Sequence, residues 1–245
     1  MTNRHIAFAF ALLCGLSGPA SAGEPRAVVE LFTSQGCSSC PPADRLIGEL
    51  ARDSSVLALT LPVDYWDYLG WKDTLALHSH TDRQRAYAEA RGDREIYTPQ
   101  VVVNGMAHVL GSDKAAIDKA IAQTRHAASP LTVPVTMAVS DGKVTVNVPA
   151  ANDQRGGEVW LCPFASKMRV TIDRGENRGN TFTYYNVVRR WVKLGDWSGK
   201  AESFSMPVAD VSKGESDVDH VAVVVQRGVA AKPGMMLGAA TASLR

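Results

Sequence analysis

The sequence predicts an α/β unit of order β-α-β-α-β-β-α over residues 23–128, followed by an all-β sandwich over residues 129–245. Two patterns carry that prediction. Before Ala128, short apolar runs alternate with longer stretches of helical periodicity, as expected of strands joined by helical crossovers. From Leu131 onward, apolar and polar residues alternate with period two between turn-forming breaks such as Asp141-Gly142, Gly156-Gly157 and Lys213-Gly214. A third feature places the chemistry: the first apolar strand runs into Cys37-Ser38-Ser39-Cys40, where a helix is expected to begin.

The amino terminus precedes the folded part. Arg4 and His5 lead into an apolar run from Ile6 to Leu16, and Ala20-Ser21-Ala22 supplies a cleavage site, so residues 1–22 read as a secretory signal peptide. That run is shorter than the ~20 residues a membrane-spanning helix needs, and no later segment is long and apolar enough. Leu13 stands where lipidation of Cys14 would need a small residue. The mature chain is therefore expected to be periplasmic or secreted, with no membrane insertion after cleavage. Loss of Arg4 takes the formal charge of +1 to about zero, which leaves no basic field for nucleic acid or anionic lipid.

The elements follow in order. Strands are expected over Ala27–Thr33 and Val56–Val63, and helices over Cys40–Arg52 and Thr74–Arg91. Val101–Val103 and His108–Leu110 form a hairpin about Asn104-Gly105, and Ser112 caps a helix running to about Arg125. The two apolar strands are expected to be central and parallel, with the hairpin antiparallel at one side. Ala127-Ala128-Ser129-Pro130 is the linker, and the segments LTVPVTMAV, KVTVNV, EVWLCPF, MRVTID, TFTYYNVVRRWVKL, AESFSMPV and HVAVVVQ supply the strands of the sandwich.

Cys37 and Cys40 can close a small disulfide, and the amides at a helix N-terminus favour the thiolate, the reactive form. Cys37 is then the nucleophile and Cys40 the resolving thiol. Pro41 and Pro42 fit a helix starting near Ser38 or Ser39, because first-turn amides have no intrahelical acceptor to lose. A zinc site or a structural staple are the competing readings. Zinc takes about four ligands, but Cys162 stands alone and His78 and His80, two apart, point to different sides of a helix. A chain of this length buries a core without disulfides, so a staple is not needed. The pair reads as a redox dithiol in an oxidising compartment, with no metal and no cofactor.

The element order and the position of the Cys-x-x-Cys pair together resemble the thioredoxin superfamily. Tyr97-Thr98-Pro99-Gln100-Val101-Val102-Val103-Asn104-Gly105 resembles its segment in which a cis-proline precedes the third strand and faces the dithiol. The resemblance implies that Pro99 is cis and that the backbone at Thr98 pairs with an extended substrate. More specifically, ELFTSQGCSSCPPAD, VDYWDYLGWKD, TDRQRAYAEARG, YTPQVVVNG and RGENRGNTFTYYNVVR resemble a family of secreted bacterial proteins catalogued as domain of unknown function 1223. A carboxylate amid apolar strand residues is expensive unless paired or neutral, and Glu30 resembles the buried acid that takes the proton of the resolving cysteine.

The segment Asp64-Tyr65-Trp66-Asp67-Tyr68-Leu69-Gly70-Trp71 leaves the second strand at the rim that holds the dithiol. Asp64, Trp66 and Trp71 are therefore candidate substrate-binding residues, although the two indoles also suit covering the end of the sheet. Cys162 reads as a small core hydrophobe, and Arg174, Glu176, Asn177 and Arg178 as a polar loop against the α/β unit. The expected function is thiol-disulfide exchange by a monomer, with a thiol-containing protein or peptide as substrate and a redox protein as partner. The alternative is a non-catalytic module that binds or delivers Cu(I) through the same dithiol. The sandwich is expected to select substrates without taking part in the chemistry, so that a chain ending near Ala128 would still exchange disulfides with small thiols.

Overall fold

Seven consecutive buried residues form the first strand, β1 (Ala27–Thr33). Burial on both faces is what a central strand requires. β1 runs parallel to β2 (Val56–Pro62), in register from Ala27 opposite Val56 to Thr33 opposite Pro62. On its other side it pairs antiparallel with β3 (Gln100–Val103), which turns into β4 (Ala107–Leu110). This computed structural model describes residues 25–151 and 156–244; the expected signal peptide and Cys14 lie outside the described residues.

Helices cover both faces of these strands. α1 (Pro41–Leu50) and α3 (Lys114–Ala128) share one apolar cluster with Val29 and Leu31, through Ala43, Ile47, Ile117 and Ile121. α2 (His78–Arg91) lies on the opposite face, where Tyr87 joins Val28 and Phe32. The helix starts differ from expectation for local reasons. Cys40 is the N-cap of α1, so the helix begins at Pro41. Asp73 accepts from the amides of Leu75 and Ala76, which holds a turn ahead of α2 and delays its start to His78. Asp113, not Ser112, caps α3, its carboxylate accepting from Ala116 N at 2.9 Å.

The second half contributes β5 (Thr136–Ser140), β6 (Lys143–Val148), β7 (Gly157–Thr171), β8 (Thr181–Val188), β9 (Val192–Trp197), β10 (Glu202–Pro207), β11 (His220–Val229) and β12 (Lys232–Ser243). A four-residue helix, α4 (Val208–Val211), interrupts them. The sheet β10-β6-β5 encloses Val144, Val146, Leu161, Val223 and Leu237 against β7, β11 and β12. This larger layer is not a separate sheet, which corrects the expectation of a free-standing sandwich. β8 lies parallel to β2, joined at Thr60 and Val187, and the whole reads β12-β11-β7-β8-β2-β1-β3-β4, with β9 also on β7. Thr60 Oγ1 donates to Tyr185 O at 2.6 Å and Asn186 Nδ2 to Ala58 O at 2.8 Å. The physical reason is the edge of β2. Its backbone groups are buried and need partners, and β8 supplies them. The apolar core is likewise shared, with Phe32 and Leu61 beside Cys162, Phe164, Val224 and Met236. Among the described residues no helix is long and apolar enough to cross a membrane.

Candidate active site

The loop from Ser34 to Cys40 joins β1 to α1 and closes on a Cys37–Cys40 disulfide. Cys37 N donates to Ser34 O at 3.1 Å, Cys40 N to Cys37 O at 3.2 Å, and Gly36 N to Ser34 Oγ at 3.1 Å. The open side of the loop is Ser38-Ser39; Cys37 is 2% exposed and Cys40 fully covered. The expected helix amides around the sulfurs are largely missing. Pro41 and Pro42 have none, and the amides of Ala43 and Asp44 both donate to Cys40 O. What remains for a Cys37 thiolate is the helix dipole and Ser39, whose Oγ lies 3.4 Å from Cys37 Sγ.

The Thr98–Pro99 bond is cis, as the resemblance implied. Gly111 brings it against the helix that carries Cys40. Gly111 N donates to Pro99 O at 2.9 Å, and a Cβ at Gly111 would lie 2.8 Å from Leu31 Cδ1, 3.1 Å from Pro99 Cβ and 3.3 Å from Ala43 Cβ. No larger residue allows that approach. Trp66 spans the two loops: a Cβ at Gly36 would sit 3.1 Å from Trp66 Cβ, and Trp66 Nε1 donates to Thr98 Oγ1 at 2.7 Å. Tyr68 stacks on its ring and is 77% exposed. Trp71 Nε1 donates to the buried Gln35 side chain at 2.8 Å. Thr98, Pro99, Trp66 and Trp71 are thus gathered around the dithiol loop.

Asp64 and Glu30 are placed elsewhere. Asp64 faces α2, accepting from Thr81 Oγ1 at 2.5 Å with His78 Nδ1 at 2.8 Å. Burial raises its pKa, but these two partners outweigh that and leave it lowered. Glu30 shares a face of β1 with Val28 and Phe32, whereas α1 packs on the face of Val29 and Leu31. Its carboxylate accepts from Arg83 Nε at 2.8 Å and Tyr87 OH at 2.6 Å. Glu30, expected to take a proton from the resolving cysteine, instead pairs with Arg83 on the far side of the sheet from α1.

The buried acid on the dithiol side is Asp44, one turn after Cys40 on the same helix face. Thr33 Oγ1 donates to Asp44 Oδ1 at 2.7 Å, and Asp44 Oδ2 is buried without a partner among the described residues. Burial raises its pKa to about 7, against the lowering effect of Thr33 and with the help of Asp73. Asp73 accepts from Gln35 N at 2.7 Å, and burial raises its own pKa to about 6. A third contribution crosses from the second half: Asn177 Nδ2 donates to Gln35 O at 2.9 Å and to Cys37 O at 3.0 Å. Asp44, Asp73 and Asn177 escaped the sequence reading as site residues. A signal existed for Asp44, since it breaks the apolar face formed by Ala43, Leu46, Ile47 and Leu50. Burial also pushes the Cys162 thiol well up, in keeping with its core position.

The model of a family described as protein of unknown function (DUF1223) matches residues 28–226. The chain belongs to that family. Protein AGR_C_4864 from Agrobacterium tumefaciens, known by an X-ray crystal structure, is 32% identical to this DUF1223 protein. The two superpose with a TM-score of 0.81, covering 91% of this chain and 96% of that one. HBP35 of Porphyromonas gingivalis is similar in fold, with a TM-score of 0.60 at 14% identity over 90% of this chain and 76% of that one. No curated protein matches.

Proposed function

We propose that this DUF1223 protein is an exported thiol-disulfide oxidoreductase, acting as a monomer on thiol-containing proteins or peptides through Cys37 and Cys40. The reading rests on one juxtaposition: a disulfide at the start of a helix, the cis-Pro99 segment packed against that helix, and the buried acid Asp44 one turn below Cys40. A substrate thiolate attacks Cys37 Sγ. The Cys37–Cys40 bond breaks, its electron pair passes to Cys40 Sγ, and Asp44 in its acid form supplies the proton. A second substrate thiolate then attacks the mixed disulfide and releases Cys37, leaving the substrate oxidised and the protein dithiol reduced. The steps reverse when a reduced partner protein supplies electrons, so the direction follows from the relative potentials. In the mixed disulfide, Thr98 lies beside the extended substrate and the Trp66–Tyr68 pair supplies an aromatic platform. The periplasmic or secreted location rests on the signal peptide read in residues 1–22.

The test is equilibration of the mature protein in glutathione buffers of graded ratio, with alkylated and disulfide forms counted by mass spectrometry. A two-electron transition at Cys37 and Cys40 is expected, together with turnover of a peptide disulfide that vanishes in Cys37→Ser. A dithiol that equilibrates but turns over no peptide above the Cys37→Ser background would overturn the enzymatic reading.

A further inference from the structure

A cleft of about 390 Å³ opens between α2 and the second half of the chain, and none of the dithiol loop lines it. Its base is Arg83, whose side chain is only 9% exposed. Nε donates to Glu30, and Nη2 to Tyr87 OH at 2.7 Å and to Gln226 Oε1 at 2.9 Å. The remaining nitrogen, Nη1, has no hydrogen-bond partner among the described residues. Trp191 lies over the guanidinium, 3.9 Å from its carbon to the ring centroid, and Trp160 meets Trp191 edge-on at 6.4 Å. Ala86 and Ala231 complete the lining with small side chains that leave the space open.

We infer that this cleft is a binding site for a small planar aromatic molecule carrying a carbonyl oxygen. Arg83 occupies one face of Trp191, and the remaining indole surface of Trp160 and Trp191 in the cleft lets a flat ring stack where an aliphatic body of equal size gains less. The free guanidinium nitrogen is a donor held rigidly by three bonds to its neighbours, so it selects for an acceptor at one end of the ring. Glu30 already balances the charge of Arg83, and Asp82 stands at the rim, 61% exposed. A neutral carbonyl therefore suits the site better than a carboxylate, and a cationic amine has no acceptor at the base. The volume lies within the range of small-molecule sites. The inference rests on this cleft alone and stands apart from the reading of the dithiol.

Benzamide is the probe. Titration of the full mature protein, followed by the indole N–H resonances, is expected to move the Trp160 and Trp191 signals saturably, with Kd on the order of 1 mM for a fragment of this size. Ala86→Phe, which fills the cleft from the exposed side of α2, is expected to weaken binding at least tenfold while the fold, read by circular dichroism, is kept. Trp160→Leu, which removes one wall, is expected to do the same and serves should Ala86→Phe fail to fold. Cyclohexanecarboxamide and benzylamine are expected to bind at least fivefold more weakly than benzamide. Equal binding of cyclohexanecarboxamide or benzylamine, unchanged affinity in both variants, or no saturable shift up to the solubility of benzamide would each overturn the inference.

Discussion

Asp44 is placed by its helix and tuned by its surroundings. It stands among Ala43, Leu46 and Ile47 on the buried face of α1, and burial holds its carboxyl at about 7. In the unfolded chain the same group titrates near 3.8, so between about pH 4 and pH 7 the folded state binds more protons than the unfolded one. Stability is therefore expected to fall as pH rises through that window, by on the order of 2–4 kcal/mol. Asp44→Asn is expected to remove Asp44's share of this dependence, leaving that of Asp73 below about pH 6, and to be the more stable protein at pH 8. Urea unfolding at a series of pH values checks both. The same variant is expected to remove an inflection near pH 7 from the rate at which Cys40 resolves a mixed disulfide. Cys37 follows from the prolines beside it. With no free amides at Pro41 and Pro42, its thiolate is stabilised weakly, by the helix dipole and Ser39 alone, unlike the most acidic dithiols. Iodoacetamide kinetics against pH measure that stabilisation, and an inflection below about pH 5 would contradict the account.

At the scale of elements, the dithiol loop is held from two directions. Asp73 fixes Gln35 N from the segment before α2, and Asn177 fixes the carbonyls of Gln35 and Cys37 from the loop between β7 and β8. Asn177→Ala leaves the buried Gln35 O unpaired and Cys37 O with only the Cys40 amide, which is expected to cost about 1–3 kcal/mol in the oxidised protein. Reduction of the disulfide by dithiothreitol is expected to speed up. Asn177→Asp keeps the shape but loses the donor and is expected to behave no better. The packing of α1 on β8 gives a second handle. A Cβ at Gly48 would lie 2.5 Å from the Tyr185 ring, so Gly48→Ala is expected to destabilise by about 1–3 kcal/mol in thermal or urea unfolding. The elements best read from sequence are those with their own signals, such as β1, which runs from Ala27 to Thr33 as expected. EVWLCPF and MRVTID proved to be one strand, β7, while TFTYYNVVRRWVKL splits into β8 and β9. β12 was not foreseen, because KPGMMLGAATAS is rich in Gly and Ala and becomes a strand by pairing with β11.

For the whole molecule, the shared sheet and shared core decide what can be separated. A chain ending near Ala128 would expose the β8-facing edge of β2 and the core surface of Phe32 and Leu61. Such a truncation is expected to be insoluble or unfolded rather than a minimal exchanger of small disulfides. Proton spectra of the truncated protein check this, and a dispersed spectrum would show that the first half folds alone. The second half also holds the cysteine loop in place, since Asn177 donates to the Cys37 carbonyl.

The sequence by itself determined the dithiol, the strands and helices around it, and the segment of Thr98 and Pro99, because each depends on residues close together in the chain. Apolar periodicity, a Cys-x-x-Cys pair and an Asn-Gly turn are local signals. Only the tertiary structure decided which acid lies on the cysteines' side of the sheet and which strands share a sheet. Glu30 and Asp44 are both carboxylates at apolar positions, and nothing local distinguishes them. The face on which α1 packs does, leaving Glu30 to Arg83 and Asp44 beneath Cys40. In the same way, a strand's free edge carries no mark of its partner. The pairing of β2 with β8 and the reach of Asn177 to Cys37 join residues more than a hundred positions apart. Such contacts arise from the burial of backbone groups that must find partners, a demand that is met by the fold as a whole.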